Sequence, residues 1–249
     1  MPADPTKRFA GRVADYARYR PAYPEALLDF LEAEGGLREG ARVADVGAGT
    51  GIFSRQLAGR GAHVVAVEPN AEMLAASGCH PSITPHLAPA ENLGLQPAAF
   101  DLVTVAQAFH WFDRGAFRSE AASVLRRGGT LAVIWNERLT DATPFLAGYE
   151  NLLLRYGTDY QIVNHAAITA GDMAAFFAPA TMRIATFPHA QDLDLKSLTG
   201  RVFSSSYTPP PGHPNHQPLR AALRHLFAQH ATNALVRFEY RCIAYIAHL

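Results

Sequence analysis

Cysteine occurs only twice in 249 residues, at Cys79 and Cys242. The chain can therefore build neither a disulfide framework nor a cysteine-based metal centre, and a reducing, cytoplasmic setting is predicted. An excess of either charge is missing too. The 22 Lys and Arg match the 22 Asp and Glu, and no basic run is longer than Arg126-Arg127. A nucleic-acid substrate would call for a basic face, so a small-molecule substrate is predicted, with no metal and no nucleic-acid partner. No apolar run approaches the roughly 20 residues needed to cross a bilayer, and the opening MPADPTKRFAGRV is too polar for a secretory signal. Apolar mass is what the chain does have. At 49% hydrophobic residues it can bury one large core, alone or with a small appendage, as a monomer or a homodimer.

The sequence is organised around residues 41–68, ARVADVGAGTGIFSRQLAGRGAHVVAVE. Val43 to Val46 is an apolar run broken only by Asp45; it ends at Gly47, Gly49 and Gly51, after which Ile52, Phe53, Gln56 and Leu57 fall at helical spacing. A second apolar run, His63 to Val67, stops at Glu68. Strand, glycine turn, helix and strand make a βαβ crossover with parallel neighbouring strands and Glu68 at the carboxyl edge of the sheet. Alternate glycines let the backbone turn with positive φ and bring a ligand against bare main chain, where the first N–H groups of the helix also point. A carboxylate at Glu68 can accept both hydroxyls of a ribose, so a nucleoside is predicted. The dinucleotide pattern G-x-G-x-x-G/A fails at Ile52. Carboxylates at Asp45 and Glu68 would repel a pyrophosphate but suit a cation such as a sulfonium with its ammonium group.

Further along, the β-branched run Phe100 to Ala106 delivers Gln107-Ala108-Phe109-His110-Trp111-Phe112 to the same sheet edge, where ligands of such folds bind. Aromatic faces there would attract a sulfonium by roughly 0.5–2 kcal/mol. Near the N-terminus, Phe9, Val13, Tyr16 and Tyr19 or Arg20 recur at helical spacing until Pro21 and Pro24. This helix can pack its aromatic stripe on the domain or act as a lid.

VADVGAGTG followed by VVAVEPNAEML resembles the first two motifs of the class I S-adenosylmethionine-dependent methyltransferases. Residues 16–24, YARYRPAYP, and the loop QAFHWF resemble signatures of the type 11 branch that includes trans-aconitate methyltransferase. The resemblance implies S-adenosylmethionine as cofactor, held by Tyr16, Asp45, Gly47, Gly49, Gly51, Glu68, Asn70, Met73, Gln107 and, in LAPAENLGL, Ala90 and Glu91. It implies catalytic roles for His110, Arg20 and Tyr19. Trp111 and Tyr207, the latter in SSSY, would meet the substrate.

The order of elements predicts an α/β fold: a Rossmann-like, seven-stranded, mostly parallel sheet with one antiparallel strand, helices on both faces, and a helical cap. A single domain over 1–249 is expected, with a lid over about 1–23, a cap insertion over about 138–180 and a surface loop over about 204–218. The predicted function is methyl transfer from S-adenosylmethionine to a small molecule, as O-methylation of a carboxylate or a hydroxyl. A carboxylate would want Arg20 and a hydroxyl would want His110 as base. The rivals are a nucleotide-cofactor oxidoreductase and a non-catalytic ligand-binding module on the same fold.

Overall fold

The structure, a computed structural model, describes residues 13–160 and 168–249. Phe9 and the rest of the predicted lid before Val13 lie outside the described residues. Two compact units are present: a sheet unit of residues 22–136, 168–187 and 242–249, and a helical unit that includes residues 13–21, 137–160 and 188–241.

The sheet has seven strands in the order β3-β2-β1-β4-β5-β7-β6: β1 Arg42–Val46, β2 His63–Val67, β3 Ile83–His86, β4 Phe100–Ala106, β5 Leu125–Arg138, β6 Arg183–Leu193 and β7 Val236–His248. The chain passes between the units within β5, β6 and β7. β1 lies between β2 and β4, parallel to both, with Val43 opposite Val64 on one side and Leu102 on the other. Strand β4 is buried throughout except at Ala106, as befits an inner strand covered on both faces. β7 runs against β5: the Leu139 N–H donates to the Glu239 carbonyl, and the Leu249 N–H to that of Gly129. This is the predicted antiparallel strand.

Successive residues of a strand face opposite sides, so the sheet unit has two cores. Val43, Val64 and Leu102 pack with Leu27, Leu28 and Leu31 of α2 (Glu25–Glu34) and with Phe53 and Leu57 of α3 (Ile52–Gly59). Ala44, Val103 and Val105 pack on the other face with Phe117, Ala121 and Val124 of the helix Arg114–Val124 and with Met173, Phe176 and Phe177 of the helix Ala170–Phe177.

Three expectations are corrected. By sequence, Asp113 caps a helix running to Arg127 that Gly128-Gly129 ends before a strand from Thr130 to Trp135, but the glycine pair does not end it. The helix stops at Val124 and β5 begins at Leu125, because Leu125 already pairs with Phe100 across a register shift and Gly128, at φ +74°, absorbs the irregularity. The cap insertion 138–180 is divided. Residues 138–160 belong to the helical unit, whereas 168–180 belong to the sheet unit, whose core takes Met173, Phe176 and Phe177. The segment 204–218 is not a surface loop throughout. Ser204, Ser205 and Thr208 are fully buried, since their hydroxyls find partners inside the chain: Ser204 Oγ donates to the Arg201 carbonyl, and Thr208 Oγ1 to the Ser205 carbonyl.

Within the helical unit, Phe145, Leu146, Tyr149 and Leu153 of the helix Pro144–Tyr156 form one core with Leu198 and Val202 of the helix Leu195–Phe203, Leu219 and Leu223 of His216–His230, and Phe238 of β7. The first described helix, α1 (Val13–Tyr19), lays the Tyr19 ring over Gly200, where any β-carbon would come within 2.2 Å of it.

Candidate active site

Of the residues that the sequence singled out, those of the sheet unit lie at or beside the carboxyl ends of its strands. Gly47 and Gly51 hold φ of +72° and +70°, and Gly51 is the N-cap of α3. Glu68 follows β2 and is 9% exposed. Its Oε2 accepts the Gly49 N–H and its Oε1 the Asn70 N–H, both at 3.0 Å. One carboxylate thus ties the glycine turn to the start of the next helix, and each oxygen keeps a further lone pair for a ligand. Asn70 caps that helix, Ala71–Ala75, by accepting the N–H groups of Glu72 and Met73. Met73 is buried against the turn, its Cε 3.4 Å from where a β-carbon on Gly49 would stand.

Asp45 is 1% exposed and both its oxygens are engaged, Oδ2 by Ser54 Oγ at 2.6 Å and Oδ1 by Thr104 Oγ1 at 2.8 Å. Its carboxylate sits beneath the turn as a buried charge. Burial raises its pKa to about 6, against the two hydroxyl bonds that lower it and with the Glu68 charge adding to the rise. Burial likewise raises Glu68, while its bonds from Asn70 and Gly49 pull the other way.

A pH dependence follows. Between the ordinary value of 3.8 and about 6 the folded chain holds a proton on Asp45 that the unfolded chain has released. Stability therefore falls as pH rises through that window and stays lower above it. The window spans about 2 pH units, which at about 1.4 kcal/mol each is about 3 kcal/mol. Asp45→Asn keeps the shape and removes the titration. Urea denaturation at pH 4, 5, 6 and 7 is expected to show the parent losing up to that amount relative to the variant, and parallel pH profiles would refute the assignment.

Gln107 closes β4 with φ +62°, a conformation that a non-glycine side chain adopts at some cost and that clusters at functional sites. Its Nε2 donates to the Asn136 carbonyl at 2.9 Å. His110 and Trp111 follow in a short 3₁₀ turn, their rings 4.7 Å apart, with His110 exposed. Ala90 is buried, and the Glu91 carboxylate accepts the Asp113 N–H at the head of the next helix. Tyr16, Tyr19, Arg20 and Tyr207 belong to the helical unit. There Arg20 stacks on Tyr16 at 4.9 Å and donates to Ser205 Oγ and the Ser204 carbonyl.

Four buried polar residues escaped the sequence reading. Ser54 and Thr104 satisfy Asp45; a hydroxyl inside the apolar run FDLVTVA was the available sign for Thr104. Asn136, at the carboxyl end of β5, donates from Nδ2 to the Ala22 carbonyl and leaves its buried Oδ1 without a partner. Arg201 is buried on the apolar side of its helix beside Leu198 and Val202.

The residues fit the predicted cofactor. The turn carries no β-carbon at Gly47, Gly49 and Gly51, Glu68 keeps acceptor capacity for ribose hydroxyls, and the buried Thr50 Oγ1 has no hydrogen-bond partner. Among the described residues no group of His, Cys, Asp and Glu is placed to hold a metal ion, and no helix is long and apolar enough to cross a membrane.

Comparison with known proteins agrees with this geometry. The methyltransferase-domain family matches residues 44–133. An uncharacterized methyltransferase of Mycobacterium tuberculosis is 40% identical over 136 residues, 54% of each chain. A ubiquinone biosynthesis O-methyltransferase of Aromatoleum aromaticum is 33% identical over 109 residues, 41% of this chain and 46% of that one. Matches thus span about half the length of these curated relatives. Among solved structures, a candidate type II methyltransferase of Anaeromyxobacter dehalogenans is similar over 92% of this chain and 96% of its own, with a TM-score of 0.63 at 25% identity. Residues 44–133 thus match a methyltransferase domain, and in sheet order and glycine turn the chain resembles the class I S-adenosylmethionine-dependent methyltransferases.

Proposed function

We propose that this chain transfers a methyl group from S-adenosylmethionine to an oxygen, carboxylate or hydroxyl, of a small molecule. The observation that carries the reading is the buried Glu68 carboxylate bridging the glycine turn and the Asn70 cap at the carboxyl edge of the sheet. When bound, S-adenosylmethionine supplies a methyl group already activated on a sulfonium. The chain's own part is to bind, orient and exclude water. Glu68 accepts ribose hydroxyls, and Gly47, Gly49 and Gly51 give access to main-chain N–H groups. Met73 and Ala90 pack on the adenine, with Asn70 and Glu91 holding the two helix starts beside them. Gln107 turns the aromatic loop toward the ligand. The balanced charge and the two free cysteines support a small acceptor in a cytoplasmic setting. The O-methyltransferase relative supports oxygen as the methylated atom.

His110 is assigned to the acceptor, since it lies beyond Gln107 on the loop and is exposed. If the acceptor is a hydroxyl, His110→Ala is expected to lower kcat by at least about 100-fold through loss of the base, while calorimetry finds unchanged affinity for S-adenosylhomocysteine. If it is a carboxylate, already ionised, kcat changes little. Equal losses in turnover and cofactor affinity would remove His110 from the acceptor side. The whole reading is tested by thermal shift with S-adenosylmethionine, S-adenosylhomocysteine and NAD, followed by turnover. Stabilisation by NAD alone would favour an oxidoreductase, and binding without turnover a non-catalytic module.

A further inference from the structure

Among its described residues, the helical unit buries a positive charge with no carboxylate beside it. Arg201 is 5% exposed and has no carboxylate partner among the described residues; its Nε donates to Tyr240 Oη and its Nη1 to Ser205 Oγ, both at 3.2 Å. The Arg20 Nη2 donates to the same Ser205 Oγ at 3.3 Å, while its Nε is buried with no hydrogen-bond partner. Two guanidinium groups therefore converge on one neutral hydroxyl. Arg138 lies in the same unit, but Glu150 pairs with it and Tyr160 Oη bonds to both. That carboxylate is already spent.

Guanidinium groups stay charged in proteins, so the like charges of Arg20 and Arg201 cannot be relieved by losing a proton. Buried charge without a partner is costly, and an oxyanion that accepts from both forks is the ligand such a pair selects. We propose that Arg20 and Arg201, bridged by Ser205, form a binding site for an oxyanion carrying two negative charges, as a dicarboxylate or a phosphate monoester does. Tyr207 belongs to the same cluster. Burial opposes ionisation of its phenol, yet the Arg201 and Arg20 charges outweigh it and hold the group below its usual range. Arg20 shows the reverse: burial first, and then the Arg201 charge, lower its pKa. The binding site does not rest on the activity proposed above.

The test uses the full chain and measures melting temperature in sodium malonate and in sodium phosphate, against sodium chloride and sodium acetate at equal ionic strength. At about 100 times the dissociation constant, a bound dianion is expected to raise Tm by roughly 5–10 °C. Arg201→Gln and, separately, Arg20→Gln are expected to abolish the rise. Because such anions also stabilise proteins by exclusion from the surface, only the part lost in the variants counts as binding. A response to malonate alone identifies a dicarboxylate, and a response to phosphate alone a phosphoryl group. Should Arg201→Gln fail to fold, Arg20→Gln with calorimetry of the same anions decides. The proposal is overturned if the dianions do no more than chloride, or if both variants keep the rise. It is also overturned if ultraviolet titration of the parent against Tyr207→Phe finds Tyr207 ionised at pH 7 without ligand, since the counter-charge would then be internal. Calorimetry with S-adenosylhomocysteine runs in parallel. Absent binding there, with an intact anion response, defeats the methyl-transfer reading and leaves the anion site standing.

Discussion

Glu68→Ala is expected to give a folded protein that binds S-adenosylmethionine at least about 100-fold more weakly than the parent. Two ribose hydroxyls donating to one carboxylate form charge-assisted bonds of roughly 1.5–3 kcal/mol each, and a single one lost is already about tenfold in affinity or more. The sequence placed the carboxylate at the carboxyl edge of the sheet. The structure adds that it is buried and accepts the N–H groups of Gly49 and Asn70, so its loss also orphans two main-chain donors. A stability cost of about 1–3 kcal/mol should accompany the affinity loss, seen as a fall in Tm of roughly 2–12 °C. Glu68→Gln, which keeps one acceptor and the side-chain volume, should fall between the two in both measurements. Calorimetry on the folded Ala variant decides, and a dissociation constant near the parent's would take the ribose away from Glu68.

Gly47→Ala is expected to be the most destabilising single-methyl change in the sheet unit. Gly47 holds φ +72°, and a β-carbon there would stand 2.4 Å from the Ala108 Cβ and 3.2 Å from Phe112 Cζ. The first fact costs an L-residue roughly 1–2 kcal/mol. The second forces the glycine turn and the Gln107–Phe112 loop apart, at roughly 1–3 kcal/mol for overpacking. Together about 2–5 kcal/mol is expected, with weakened cofactor binding, because the two displaced segments both contribute to the site. Gly49→Ala is the control. It meets the same kind of backbone strain at φ +58°, but its nearest neighbour is the flexible Met73 Cε at 3.4 Å. Urea denaturation of both variants checks the argument, which fails if Gly47→Ala is as stable as Gly49→Ala.

The two variants also show which features can be read from local sequence. The alternate glycines, the helix that follows them and the acid ending the next strand all lie within one βαβ crossover, where turn chemistry and apolar period act over a few residues. The caps Asn70 and Asp113 are legible for the same reason, since each side chain bonds to N–H groups two or three positions ahead. The apolar loop after β4 could be placed at the sheet edge because a parallel strand of seven buried or nearly buried residues delivers its next residues there.

Other features depended on partners far away in sequence. Gly128-Gly129 reads as a helix stop, yet β5 starts before it because Leu125 finds Phe100. SSSYTPPPG reads as exposed, yet its hydroxyls are satisfied by Arg20 and Arg201, the former 185 positions away from Ser205. Asp45 reads as a charge offered to a cation, yet Thr104, 59 positions on, holds one of its oxygens. By itself the sequence determined the βαβ elements, the glycine turn and the acid that ends the second strand, because short-range period, caps and backbone freedom specify those. Only the tertiary structure decided the strand order, the split of the chain between two units and the burial of Asp45, Ser205 and Arg201, because the free energy of a buried polar group depends on whether a partner reaches it, and those partners come from distant parts of the chain.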